Sequence, residues 1–194
     1  MDKKIFAIKE QYNNQYNKIY AQTSLEVFSE GAGSHHPSYI MVWWGMSHQG
    51  VTPLNFCEKG VKTGAGVYQE DVLQGVVKPL YTTVFIGQKW VFQQDSAAAN
   101  KAKTTQEWLR RNVPSFISAE DWLSGSPDLN PLDYKLWAVL EDKTCRKCHN
   151  NLDSLKRSLM KAAAEIPLET VRASIAEWPE RLKACVGAES GHFE

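Results

Sequence analysis

The chain has 194 residues, 43% of them hydrophobic and 23% charged, with 22 basic side chains against 22 acidic ones. That balance fits one folded domain with a sizeable core, and it excludes both a disordered chain and a protein drawn to nucleic acid by bulk charge alone. No apolar run reaches the length of a membrane span, and the start Met1-Asp2-Lys3-Lys4-Ile5-Phe6 lacks the apolar stretch of a signal peptide, so an intracellular protein with four reduced cysteines is expected.

The residues up to about position 95 read as β-rich. Lys4 to Ile8 alternates weakly, and Lys18 to Ala21 is a short second candidate. Glu30 to Pro37 is a Gly/Ser/His loop. Tyr39 to Ser47 is a continuous apolar run containing Trp43 and Trp44, suited to a central strand buried on both faces. His48-Gln49-Gly50 signals a turn, with Val51 to Cys57 returning as a hairpin partner. Gly64-Ala65-Gly66 opens a helix whose Tyr68, Val72, Val76 and Leu80 recur at helical spacing; without a following Gly-Lys-Ser/Thr, the glycines read as a helix start and not a phosphate loop. Trp90 to Gln94 is the next strand, and Asp95 ends it.

Beyond Asp95 the pattern turns helical. Ala97 to Asn112 carries Trp108 and Leu109 on one side and Lys101, Lys103, Arg110 and Arg111 elsewhere. Phe116 to Ala119 is a short strand candidate. Leu132 to Lys143 aligns Leu132, Leu136 and Leu140 on one helical face. Asn151 to Glu165 forms another helix, with Asp153 or its neighbour as cap. Pro167 suits the first turn of a last helix running to about Val186, and Gly187 to Glu194 reads as a frayed tail. Residues 1–145 are therefore assigned to one α/β domain, with 146–194 as helices packed on it or extending from it. Cys145-Arg146-Lys147-Cys148-His149 matches the C-x-x-C-H haem-attachment pattern, but it lacks an export context and a second cysteine pair, so no haem is expected and a solvated helix-end loop is the better reading.

The chemistry lies in the carboxylates. Asp95 closes an apolar, aromatic-rich run, and Asp133 opens a helix just after the Pro-rich turn Ser126-Pro127-Asp128-Leu129-Asn130-Pro131. With Asp2, these are three acids on rigid elements from distant parts of the chain, which is what a pair of hard divalent cations about 3.5–4 Å apart requires. Singly, each has an ordinary structural role: Asp95 as a strand-ending residue, Asp133 as a helix-start residue, Asp128 as a cap of the Pro turn.

Together, these segments resemble the catalytic domain of mariner-type transposases over nearly the whole chain. The resemblance rests on Gln93-Gln94-Asp95-Ser96-Ala97, on the block Ser126 to Asp133, on Val42-Trp43-Trp44-Gly45 followed by Gly50-Val51, and on spacing: 92 residues lie between Asp2 and Asp95, and 37 between Asp95 and Asp133. Asp in place of Glu as third acid is similar to the all-aspartate mariner relatives. The resemblance implies an α/β, ribonuclease-H-like fold, with a mixed central sheet, helices on both faces and a C-terminal helical extension. It implies Asp2, Asp95 and Asp133 as catalytic residues and ligands of two Mg²⁺ or Mn²⁺ ions. Cleavage at transposon ends and strand transfer into target DNA would follow, in a homodimer with DNA, in the nucleus. Lys101, Lys103, Arg110 and Arg111 are the candidate phosphate contacts.

The chain departs from the family pattern at three points. Ala98 and Asn100 stand where relatives often carry Pro and His, and Leu123 stands where Pro is usual. The chain also begins one residue ahead of Asp2, so a truncated catalytic domain without the N-terminal DNA-binding region is expected. The alternative is a noncatalytic remnant that only binds nucleic acid weakly or pairs with another copy.

Overall fold

A computed structural model describes residues 1–8, 38–57, 64–122, 126–146 and 148–188. The expected strand at Lys18 to Ala21, the loop at Glu30 to Pro37, Leu123 and the last residues of the tail lie outside the described residues.

Five strands are present among them: β1 (Asp2–Ala7), β2 (Tyr39–Trp44), β3 (Met46–Ser47), β4 (Gly50–Val51) and β5 (Asn55–Phe56). β1 and β2 pair antiparallel from Asp2 opposite Trp44 to Ala7 opposite Tyr39, and β2 pairs antiparallel with β5 through Val42–Phe56 and Trp43–Asn55. The single long strand expected over Tyr39 to Ser47 breaks at Gly45, whose N–H donates to the Thr52 hydroxyl at 3.0 Å. A side chain there would meet Thr52 Cγ2 at 2.8 Å, so only glycine fits so close to Thr52. β3 and β4 then form a separate hairpin that ends on Gly50 at φ 137°. The expected return strand, Val51 to Cys57, is split in two because Pro53 has no N–H for a ladder.

The expected strand Trp90 to Gln94 reduces to one parallel bridge, Phe92 to Phe116, and Phe116 to Ala119 contributes only that bridge. Phe92 N–H donates to the Ser115 carbonyl at 2.9 Å, and its carbonyl accepts from Ile117 at 3.0 Å, while the Gln93 carbonyl accepts from the Met1 nitrogen at 2.7 Å. Among the described residues the ladders are thus antiparallel, and parallel pairing is confined to this bridge.

Seven α-helices and one short 3₁₀ turn, Pro127–Leu129, follow among the described residues. α1 runs through Ala65–Val67, a wider π-helical stretch Tyr68–Val77, and Lys78–Thr83. The helix expected over Ala97 to Asn112 is two, α2 (Ala98–Lys101) and α3 (Lys103–Asn112), with extended backbone at Ala102. Side-chain bonds compete with the helix here: the Asn100 carbonyl is taken by the side-chain amides of Gln94 and Gln106, and that of Ala99 by the Thr105 hydroxyl. α4 joins a π-helical turn, Leu132–Leu136, to Trp137–Cys145. α5 is Leu152–Ala164, capped by Asn151, whose Oδ1 accepts from Ser154 N–H at 2.8 Å; Asp153 sits inside the first turn and is not the cap. The single last helix expected after Pro167 is α6 (Leu168–Ala176) and α7 (Trp178–Gly187), because Pro179 has no N–H to continue the ladder.

Strand alternation divides the core. Phe6, Ile40, Val42 and Trp44 pack with Leu136, Trp137 and Leu140 of α4 and Leu155 and Leu159 of α5. Trp43, one residue out of phase, packs with Tyr68, Val72 and Leu73 of α1, with Leu109 of α3 and with Phe92. The segments on either side of residue 146 share the first cluster, since Leu155, Leu159, Ile166 and Val171 are buried with β1 and β2.

Candidate active site

Each of the three aspartates is set by a different device. Asp2 is the first residue of β1 and is 4% exposed. Its carboxylate accepts the indole N–H of Trp137 at 2.6 Å. The Met1 backbone nitrogen donates to the Gln93 carbonyl at 2.7 Å, so the start of β1 lies beside the segment that ends in Asp95. The Gln93 side-chain amide reaches on to the Leu129 carbonyl at 3.1 Å, joining the Pro-rich turn to the same place.

Asp95, half-buried, follows a segment with almost no ladder of its own. The Asn100 side-chain amide fixes it by donating to both its carboxylate and its carbonyl. Asn100 is itself 1% exposed. Behind it the Tyr68 hydroxyl donates to Gln94 at 2.7 Å, and Gln106 accepts from the Ala119 N–H at 3.2 Å, so a polar network backs the loop. Asp133 lies in the first turn of α4 and is the most open of the three. Asn130 donates to it at 2.8 Å, while the other end of the same amide accepts the Leu132 N–H at 3.3 Å.

The electrostatics show convergence. Burial and then the charge of Asp2, which also shares a hydrogen bond with it, push the Asp133 carboxyl up to about 7; Asp95 adds to the rise and the Asn130 donation opposes it. Burial and then Asp2 raise the Asp95 carboxyl, while the Ala97 N–H and Lys3 pull it down. Burial lowers the Met1 amino group, and Asp2, Asp95 and Asp133 all pull it back up, so a single buried point feels all three acids. Among the acids, Asp2 is the charge that both Asp95 and Asp133 feel most. Among the described residues no three His, Cys, Asp or Glu side chains close round a single metal ion. A groove of about 690 Å³ opens beside the acids, sharing Met1, Gln93 and Asn130 with them and walled by the β3–β4 hairpin, Phe85, Trp90 and Trp178.

The four basic residues are not part of this cluster. Lys101 on α2 and Lys103, Arg110 and Arg111 on α3 are exposed, while Thr105, Gln106 and Leu109 form the buried face of α3. Arg111 pairs with Glu107 at 3.8 Å. The side-chain cation that Asp95 feels is Lys3, which also lies 5.1 Å over the Trp43 ring. Sequence reasoning missed Lys3, Asn100, Asn130 and Trp137. Spacing could have found two of them: Asn130 precedes Asp133 by three residues and Trp137 follows it by four, which places all three on one side of a helix start. The four cysteines form no disulfide, and the His149 ring contacts the Thr144 carbonyl at 2.9 Å and the Ser154 hydroxyl at 3.4 Å.

An α/β fold that gathers three distant aspartates at the start of its first strand is the class these observations define. The homologues of the chain are transposases of the Tc1/mariner family. The Tcb1 transposase of Caenorhabditis briggsae is 29% identical over 155 residues, covering 80% of this chain and 54% of that protein. The Tc1 transposase of Caenorhabditis elegans is 26% identical over 155 residues, with coverage of 79% and 54%. The chain thus spans about half the length of the curated relatives it matches. Among solved structures, the Mos1 transposase catalytic domain with Raltegravir and Mg has a TM-score of 0.70 at 22% identity, covering 80% of this chain and 78% of that one. The Mos1 paired-end complex with left transposon end has a TM-score of 0.77 at 20% identity, covering 100% and 55%. No family model matches the chain.

Proposed function

We propose that the chain is the catalytic domain of a transposase of the all-aspartate type, with a ribonuclease-H-like arrangement in which β1 lies between β2 and the Trp90–Gln94 segment. It cuts DNA at transposon ends and joins the freed end to target DNA. The observation that carries the reading is the meeting of Asp2, Asp95 and Asp133 in one electrostatic cluster despite their separation in sequence. The relatives named above support it as transposases, and the Mos1 structures solved with Mg and with Mn support a divalent metal.

The residues fit such a metal. The donor set is carboxylate oxygen alone, which suits Mg²⁺ or Mn²⁺ rather than a soft metal. Burial and the neighbouring acid charge lift Asp133 to about 7, and a dication would relieve that cost. Asp2, Asp95 and Asp133 would hold the ions. When bound, the two ions activate the attacking oxygen and stabilise the charge that develops on the leaving oxygen. In the first reaction water attacks phosphorus, the P–O3′ bond breaks, and a 3′-hydroxyl and a 5′-phosphate result. In the second that 3′-hydroxyl attacks a target phosphodiester, one P–O bond forming as another breaks, and its proton leaves to solvent.

The chain's own side chains prepare the site. Trp137, Asn100 and Asn130 hold the three acids with neutral N–H donors, leaving the carboxylate charge intact for the cations. Lys101, Lys103, Arg110 and Arg111 present an exposed basic surface for DNA phosphates. The partners are terminal inverted repeats, target DNA and a second copy of the chain, in the nucleus.

Nicking of supercoiled plasmid with Mn²⁺ tests the reading. The chain should convert plasmid to the open form, and Asp95→Ala should reduce the rate by about a hundredfold or more, the order expected when an interaction that stabilises developing charge is removed. Equal background from both proteins would instead establish a noncatalytic remnant.

A further inference from the structure

The bond between Trp137 and Asp2 is unlike the other indole bonds in the core. Trp44 and Trp178 donate to main-chain carbonyls, of Thr52 at 3.1 Å and Leu129 at 3.0 Å, which is the usual way a buried indole is satisfied. Trp137 donates to a carboxylate 135 residues away, at 2.6 Å, with both partners buried. Its ring cannot swing. It is 1% exposed and held between Trp44, at 5.4 Å and 50° between planes, and Phe6, at 6.0 Å and 59°. Trp137 also stands one helical turn after Asp133, on the same side of α4.

We propose that Trp137 is a positioning residue: its indole N–H fixes the Asp2 carboxylate and locks the first strand to the helix that carries Asp133, so that the spacing of these two acids is set before any metal binds. This inference rests on the metal-site reading above. Asp2 bonds to Trp137, and one turn of α4 joins Trp137 to Asp133, whose carboxyl feels the Asp2 charge. Held by a buried indole, the Asp2 carboxylate is not free to rotate, whereas a carboxylate at the end of a strand is otherwise free about two side-chain torsions. The donor is also the right kind. A lysine or arginine in the same place would hold Asp2 equally well but neutralise it, and the metal would then have to displace or coexist with a cation. The indole satisfies one oxygen and leaves the full negative charge. Outer donors to ligating groups typically carry about ten- to a hundredfold in metal affinity.

The test is calorimetric titration of Mn²⁺ into the folded chain and its variants. Trp137→Phe keeps an aromatic ring and removes the donor, and should weaken Mn²⁺ binding about tenfold or more. Trp44→Phe makes an equal change in an adjoining buried indole that bonds only to a carbonyl, and should leave the affinity within about twofold, which a purely packing role for Trp137 would not predict. In an Asp2→Asn background, Trp137→Phe should cause no further loss. Wild-type binding with an unchanged Trp137→Phe affinity overturns the inference while the metal site stands; no binding by the wild type overturns both. Should Trp137→Phe not fold, the ¹⁵N-indole spectrum of the wild type decides. One indole N–H, the one displaced in Asp2→Asn, should shift when Mg²⁺ is added, and its failure to move overturns the proposal.

Discussion

Replacing Asp133 with Asn should make the metal-free protein more stable at pH 8. In the folded protein, burial and the charge of Asp2 move this carboxyl from the ordinary 3.8 to about 7. A group whose pKa is raised by folding binds its proton more tightly in the folded state. The stability it contributes is therefore complete below the ordinary value and is lost as pH rises, with the loss complete above about 7. Taken at face value the change corresponds to about 4 kcal/mol at 1.36 kcal/mol per pH unit. Asp133 is open to solvent on one side, however, and screening of an exposed charge reduces this to about 1–2 kcal/mol. Asn keeps the shape, carries no charge at any pH, and removes that cost.

For a chain of this size, each kcal/mol moves the melting temperature by about 2–4 °C, so Asp133→Asn should melt about 3–6 °C above the wild type at pH 8 in chelator. The difference should shrink below pH 7 and become small by about pH 4, where the wild-type carboxyl is protonated in the folded state and about two-fifths protonated in the unfolded one. Saturating Mn²⁺ should reverse the order, because a ligand at about a hundred times its dissociation constant stabilises by about 2.7 kcal/mol and only the wild type retains the full site. Thermal melts followed by circular dichroism, at half-unit steps from pH 4 to 8.5 with and without metal, read all three effects. A variant that melts with or below the wild type at pH 8 without metal would refute the claim that the acids are crowded.

Two further outcomes follow from the packing and the surface. Leu159 is fully buried in the cluster that also contains Phe6, Trp44 and Trp137, so Leu159→Ala should cost about 2–5 kcal/mol and lower a single, shared melting transition; a separate early transition with the strand signal unchanged would show that the C-terminal helices fold apart. Changing Lys101, Lys103, Arg110 and Arg111 together to Ala should weaken DNA binding and flatten its dependence on salt by about 0.9 in logarithmic slope for each phosphate no longer neutralised, measured by fluorescence anisotropy between about 50 and 200 mM salt. An unchanged slope would place the DNA on another face.

That Asp95 and Asp133 stand at the end and start of patterned segments was legible in the sequence, and the devices that hold them were legible only in part. Asp95 and Asp133 stand out because each ends or opens a patterned segment, and the pattern that buries Leu132, Leu136 and Leu140 survives folding intact. Element boundaries fared less well where tertiary bonds override local preference. Asn100 sits in a stretch that reads as uninterrupted helix, but its carbonyl is drawn to Gln94 and Gln106, and the helix breaks two residues later. The strand expected at Trp90 to Gln94 needs partners that periodicity cannot supply, and only Phe92 finds a bridged one. Trp137 reads in sequence as one more core aromatic. Its second role depends on a bond across 135 residues, which no local pattern encodes.

The three neutral holders explain why this site tolerates so little ladder around it. A carboxylate placed by strand pairing alone would require well-formed strands at all three positions, yet only Asp2 lies in one. Asp95 follows a lone bridge, and Asp133 opens a helix whose first turn is π-helical. Precision is instead supplied by side-chain amides and an indole, each itself almost fully buried: Asn100 at 1%, Asn130 at 4% and Trp137 at 1% exposure. A buried donor has few alternative rotamers, so the carboxylate it holds inherits its rigidity. In the proposed reading, each donor is committed before a cation arrives, and the repulsion between Asp2 and Asp133 is what that cation would relieve.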